Sequence, residues 1–295
     1  MYKERYQKKY DIIYIMGGGR SGSTLFSLLL GMHSNIISVG EIKSWGKYKG
    51  CPRDINIDKR SKKLWEMVKK EYEIQIDEKI AFKKIEKIVQ KYESKKEFLR
   101  KIFKGKKTTE YDYYMEHLIN LYCSIHNATS KKIIVDSSKN LSRALHLLKC
   151  NELNVKIIHL IRDPRGVVWS FMKKNVEQKA KRPLKAIWDY ICINLICYIL
   201  RLIYKEKIIK IVYEDLVYAQ TKTLYKLSKF IKINFCELDD IIKKNDDISV
   251  KYLIDGNRIR KNRTIKIKID DEWKYKLAFK YKKIAALFGK PIYYL

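Results

Sequence analysis

The chain has 295 residues, 46% of them apolar and 12% aromatic, which excludes a disordered segment and allows one large α/β domain or two small ones. Its formal charge of +31 would attract phosphorylated ligands, polyanions or anionic membrane surfaces, yet the Lys residues are spread over nearly every segment and outline no nucleic-acid stripe. Six cysteines form no CxxC pair and have no His at metal spacing, so no metal site is expected and a reducing, cytoplasmic setting fits.

In chain order, residues 1–10 read as a polar tail and 11–295 as one domain. The apolar run Ile12–Met16 is the first strand; it is too short for a secretory signal. Glycines Gly17, Gly18, Gly19 and Gly22 then lead into a first helix over Gly22–Met32. Ile36–Val39 is a short strand ending at Gly40-Glu41. From 42 to about 130 the pattern is helical and Lys-rich, with apolar spacing such as Ile80, Phe82, Ile85 and Ile88. It reads as a helical insertion on the substrate side, closed by a helix over Thr108–His126 with Thr108 or Thr109 as cap.

Lys131–Val135 is a strand followed by Asp136-Ser137-Ser138-Lys139 and a helix to Lys149. Val155–Ile161 is a strand ending in Arg162-Asp163-Pro164, where Asp163 can cap the next helix and Pro164 occupy its first turn. Pro183–Tyr204 is a helix. Its longest apolar stretch, Ala186–Tyr204, carries Asp189, Asn194 and Arg201, and so reads as buried and not as a membrane span. Lys207–Val212 is a further strand, Tyr213–Ile231 and Phe235–Lys244 are helical, Lys251–Ile269 is a basic loop, and Asp270–Phe288 is a closing helix. Apolar strands alternating with helices indicate a three-layer α/β/α domain around a parallel sheet, whose ligands bind at the carboxyl ends of its strands.

The glycine bend between strand and helix leaves backbone N–H groups facing outward at the positive end of a helix, a cradle for anions. Gly17-x4-Gly22 has P-loop spacing, with Thr24 at the hydroxyl position, but Ser23 stands where a P-loop requires Lys, and the loop's cation is Arg20. Downstream, Arg162 at a strand end and Ser170 two turns into the next helix can converge on one phosphate, the Arg as a fork and the Ser as a single donor.

The motifs GRSGSTLFSLLL and LIRDPRGVVWS resemble those of the sulfotransferases that use 3′-phosphoadenosine 5′-phosphosulfate (PAPS). The resemblance implies a 5′-phosphosulfate loop at Gly19, Arg20, Ser21, Gly22, Ser23 and Thr24, and a 3′-phosphate site at Arg162 and Ser170. It further implies Glu41 of SVGE as general base and Lys139 of DSSK near the transferring group. Gly256, Asn257, Arg258 and Arg260 of DGNRIRKNR are similar to a basic loop that closes over the 3′-phosphate end. The implied reaction is metal-free, in-line transfer to a hydroxyl of a small molecule, a glycan or a tyrosine, with a saccharide preferred. Peripheral membrane contact is compatible with it. None of His33, His146 and His159 aligns with the His base of the better-known cytosolic enzymes, and His159 reads as structural. Two other classes compete: a P-loop kinase or NTPase with Asp136 at a metal-binding strand end, and a basic module that binds polyanions.

Overall fold

The computed structural model describes residues 10–54, 58–98, 108–173, 180–268 and 270–295. Apart from Tyr10, the expected tail lies outside them. Five strands, β1 (Tyr10–Met16), β2 (Ile36–Gly40), β3 (Ile133–Lys139), β4 (Leu153–Ile161) and β5 (Ile208–Val212), form one parallel sheet in the order β2-β3-β1-β4-β5. The sheet is parallel because every return path is helical. The strands therefore present apolar residues to two covering layers, which favours apolar runs such as Ile12–Met16 over strict alternation.

On one side of β1, Ile12, Tyr14 and Met16 join a core built with α2 (Lys59–Ile76), α3 (Phe82–Tyr92), α4 (Thr109–Thr129) and α5 (Leu141–Leu148). On the other, Ile13 and Ile15 pack with α1 (Ser23–Leu30), α9 (Gln220–Ile231) and α10 (Cys236–Lys243). The helices within 42–130 thus build most of one side of the core, with Trp45, Trp65, Tyr72 and Tyr114 fully buried there. A third cluster joins α6 (Pro164–Met172), α7 (Pro183–Ile203) and α12 (Phe279–Tyr294).

Local signals fix several boundaries. Thr108 caps α4, its hydroxyl accepting from the Tyr111 N–H at 3.2 Å. Asp163 caps α6 with Pro164 at the first position. Four expectations change. Asp136–Lys139 continues β3 instead of following it. Tyr213–Ile231 is two helices, α8 (Tyr213–Tyr218) and α9, broken at Ala219; the closing helix is likewise α11 (Trp273–Lys276) and α12. The loop after 250 contains a 3-10 turn, Arg258–Lys261, and a short strand, β7 (Thr264–Ile265), that pairs antiparallel with β6 (Ile248–Ser249) just before the loop.

The fourth change concerns α7. It is not buried all round: Tyr190, Asn194 and Cys197 face the protein, while Leu184, Trp188, Leu195, Ile199, Leu202 and Ile203 are exposed. By length and composition alone α7 could cross a membrane. Its inner face, however, is tied into the domain by Asn194, whose Oδ1 lies 3.0 Å from His159 Nε2, and by Tyr190, whose hydroxyl donates to the Arg162 carbonyl at 3.0 Å.

Candidate active site

The strand order places β1 between β3 and β4, with Met16 opposite both Lys139 and His159. The loops leaving Met16, Lys139 and Ile161 therefore emerge at one edge, at the switch point where open α/β sheets bind ligands. There the segment 17–22 turns sharply. Gly17 has φ +148°, and a Cβ on it would come within 2.4 Å of the Leu160 carbonyl. Gly22 has φ +88°, and a Cβ on it would meet the Tyr213 ring at 2.2 Å. Only glycine fits either position. Gly22 caps α1 without a side-chain acceptor, and the first turn holds no acidic residue, so the helix start is left as an electropositive N–H cradle.

A cavity of about 730 Å³ opens over this turn. Gly19, Arg20, Gly22, Ser23, Thr24, Glu41, Lys139, Arg162, Ser170, Gly256 and Asn257 line it. Two of its cations hold left-handed backbone, Arg20 at φ +66° and Lys139 at φ +61°. That conformation costs about 1–2 kcal/mol for a residue with a Cβ, and such outliers cluster where function constrains the chain.

Glu41 and Lys139 form an ion pair at 2.5 Å, with Lys43 on the other carboxylate oxygen at 3.4 Å. Burial alone would raise the Glu41 carboxyl. The ammonium groups of Lys139 and then Lys43 outweigh it and hold the group below the usual glutamate range, so Glu41 is ionised at neutral pH. Glu41 is held from behind, its N–H donating to the Asp255 carbonyl at 3.0 Å.

Arg162, at 5% exposure, lies over Tyr213 with its Cζ 4.7 Å from the ring centroid. Its Nη2 meets Asp270 twice, at the carboxylate (3.0 Å) and the carbonyl (2.8 Å). Its buried Nε has no hydrogen-bond partner among the described residues. Its Nη1 donates to the Arg20 carbonyl at 3.4 Å. A guanidinium held by one carboxylate and two carbonyls, with a further N–H to offer, is suited to an oxyanion with more oxygens to give.

Three of the residues singled out from the sequence are not part of the cavity wall. Ser21 is buried, and its Oγ has no partner among the described residues. Arg258 is exposed. Arg260 turns away onto Asp54 at 2.7 Å and donates to the Gly256 carbonyl at 2.9 Å. A carboxylate 206 positions away in the chain captures this guanidinium, which local sequence could not reveal. In the other direction, Phe171, Tyr213, Lys266, Lys268 and Asp270 line the cavity without having been expected. Of these, only Phe171, next to Ser170, adjoins one of the two motifs.

No histidine lines the cavity among the described residues. Burial pushes the His159 imidazole down to about 4, so it stays neutral on Asn194 as a structural group. Asp136, the metal-ligand candidate of the NTPase reading, is fully buried. It accepts from the Tyr122 hydroxyl at 2.7 Å and the Ser138 N–H at 2.8 Å, and faces Arg143 at 3.6 Å. Its oxygens are taken up by the core.

A sequence profile for the sulfotransferase family matches residues 12–237. The chain belongs to the sulfotransferase family. No curated protein matches it. Among solved structures, this sulfotransferase is similar to the sulfotransferase domain of the Synechococcus PCC 7002 olefin synthase, at 18% identity and a TM-score of 0.52 over 96% of each chain. It is also similar to the sulfotransferase domain from the curacin biosynthetic pathway, at 21% identity and a TM-score of 0.52 over 96% of this chain and 98% of that one. The Mycobacterium avium sulfotransferase STF9 gives 11% identity and a TM-score of 0.50 over 95% and 76%. At these identities the likeness is one of fold. The profile ends at 237, so the 256–270 stretch that supplies Asn257 and Asp270 lies beyond it in this sulfotransferase.

Proposed function

We propose that this sulfotransferase binds PAPS in the 730 Å³ cavity and transfers its sulfuryl group to an acceptor hydroxyl. The observation that carries this reading is the convergence of Arg20, Glu41, Lys139, Arg162 and Ser170 on that one cavity, although they come from four separate segments of the chain. The volume lies within the usual range for sites that hold a nucleotide-sized ligand. The cap-free start of α1 and the spare Nε of Arg162 both suit phosphate oxygens.

The donor supplies a phosphosulfate anhydride: its bridging S–O bond breaks as the acceptor O–S bond forms, and the electron pair stays on the departing phosphate oxygen. Arg20, Lys139 and the α1 N–H groups stabilise that growing charge, a kind of donor worth about 3–4 kcal/mol when removed. Glu41 takes the acceptor proton; its ion pair with Lys139 keeps it ionised and ready to do so. A saccharide hydroxyl, fully protonated at neutral pH, needs such a base, and we prefer it as acceptor. A sulfuryl group carries less charge than a terminal phosphoryl, so the transfer needs no Mg²⁺. The six cysteines are all free, which supports a reducing, cytoplasmic setting.

Incubation with sulfur-labelled donor, a chelator and a panel of saccharides, phenols and tyrosine peptides tests the reading. Label should move to a hydroxyl acceptor. Phosphoryl transfer from Mg-ATP with no sulfuryl transfer would overturn it.

A further inference from the structure

Among the described residues, nothing covers the outer face of α7. Leu184, Trp188, Leu195, Ile199 and Leu202 fall within about 100° of arc and form a single stripe along a helix roughly 32 Å long. Trp188 is 62% exposed and Ile203, at the helix end, 65%. The neighbouring α12 also exposes apolar side chains, Leu287, Phe288 and Tyr294, and Arg201 of α7 donates to the carbonyl of Leu295. Stripes of this size on soluble proteins mark interaction surfaces.

The charge around the stripe selects the occupant. Exposed Arg182 and Lys185 stand at one end of α7, Lys205 and Glu206 offset each other just past the other end, and exposed Lys280 and Lys283 add positive charge on α12. Residues 279–295 contain four Lys and no acidic residue. In α7 the one carboxylate, Asp189, is neutralised by Lys181 at 3.0 Å and Lys185 at 2.7 Å. A second copy, also carrying +31, would meet this face with like charge. A bilayer with anionic headgroups offers apolar chains to the stripe and negative charge to its rim. Spanning is not the mode, because the inner face of α7 carries Asn194 and Tyr190 hydrogen-bonded to β4 and to the start of α6.

We infer that α7, flanked by α12, lies in the interface of an anionic membrane with Trp188, Leu195, Ile199 and Leu202 immersed, and so holds the enzyme at a lipid surface. This does not rest on the donor or acceptor assignment.

Co-sedimentation with vesicles of phosphatidylcholine, alone or mixed with phosphatidylglycerol, tests it. The full chain should pellet with the mixed vesicles and stay in solution with the neutral ones, and binding should fall as salt rises. Emission from Trp188 should shift to the blue on binding; the Trp188→Phe variant should pellet without most of that shift. Combined Leu195→Ser, Ile199→Ser and Leu202→Ser should weaken partitioning at least roughly tenfold. These residues are exposed, so the triple variant should melt like the wild type, and brominated lipids quenching Trp188 in the unaltered chain give a readout independent of that variant. Failure of the wild type to bind anionic vesicles, undiminished binding by the triple variant, or an unshifted and unquenched Trp188 would overturn the inference. So would a dimer that buries the stripe.

Discussion

Two carboxylate–cation pairs hang from neighbouring points of the chain, Lys139 at the end of β3 and Arg143 in the first turn of α5. Lys139 meets Glu41 at 2.5 Å, both side chains about one-sixth exposed; Arg143 meets Glu93 at 2.7 Å, both essentially sealed from water. The pairs have the same chemistry and opposite consequences. Burial outweighs Arg143 and pushes the Glu93 carboxyl above its ordinary value, whereas Lys139 and Lys43 outweigh burial and push Glu41 below it. Glu93 also accepts from the Tyr114 hydroxyl at 3.1 Å, so its position is fixed within a core network. Contact with the cavity, and not the presence of an ion pair, separates a carboxylate that can exchange a proton with a ligand from one that holds helices together.

Breaking each pair should therefore damage different properties. Glu41→Gln should lower turnover by roughly 10²–10⁴-fold while leaving nucleotide affinity intact, and change unfolding free energy by less than about 1 kcal/mol, since the pair is partly solvated. Full activity in this variant, measured with labelled donor, would remove Glu41 from the base role. Arg143→Met should cost about 3–5 kcal/mol in urea unfolding, because it strands buried Glu93 and Asp136 without their cation. An unchanged midpoint would mean that the core tolerates the uncompensated charges.

In the same cavity, Arg162→Ala should weaken adenosine 3′,5′-bisphosphate by roughly 10–100-fold, given about 1.5–3 kcal/mol for a hydrogen bond to a charged group. Adenosine 5′-phosphate should lose much less; equal losses by calorimetry would contradict a 3′-phosphate role. Because its folded value lies below 4.5, Glu41 contributes stability above pH 4.5 that is lost as pH falls through that folded value, and the acid limb of turnover should likewise lie below 4.5. Lys139→Met leaves burial as the largest influence and should move that limb upward; an unmoved limb in the pH–rate profile would show that the pair does not set the Glu41 carboxyl. The smallest effect should come from Asp270→Asn. Removing the carboxylate that competes for Arg162 should tighten bisphosphate binding about two- to fivefold, and weaker binding would show that Asp270 assists the ligand instead.

The sequence announced whatever depends on neighbours along the chain. The bend Gly17–Thr24 was legible because strand, glycines and helix adjoin one another directly, and the Asp163-Pro164 helix start was legible for the same reason. The parallel sheet was legible in apolar runs alternating with helices. The hidden features depend on distant partners. Tyr213 under Gly22 and Arg162, Asp270 on Arg162 and Asp54 on Arg260 each join segments that no periodicity connects. The exposure of α7 escaped for a related reason: an apolar composition does not reveal whether anything covers both faces, and one face alone, with Tyr190, Asn194 and Cys197, found a core to enter.

The central claim is that Arg20 and Arg162 grip two ends of one nucleotide. A crystal structure with adenosine 3′,5′-bisphosphate tests it most directly. The 5′-phosphate should sit on the N–H groups of the 17–24 bend beside Arg20, the 3′-phosphate on Arg162 and Ser170, and Asp270 should be displaced from the guanidinium. A nucleotide bound elsewhere, or one that touches the bend while Arg162 keeps its contact with Asp270, would contradict it.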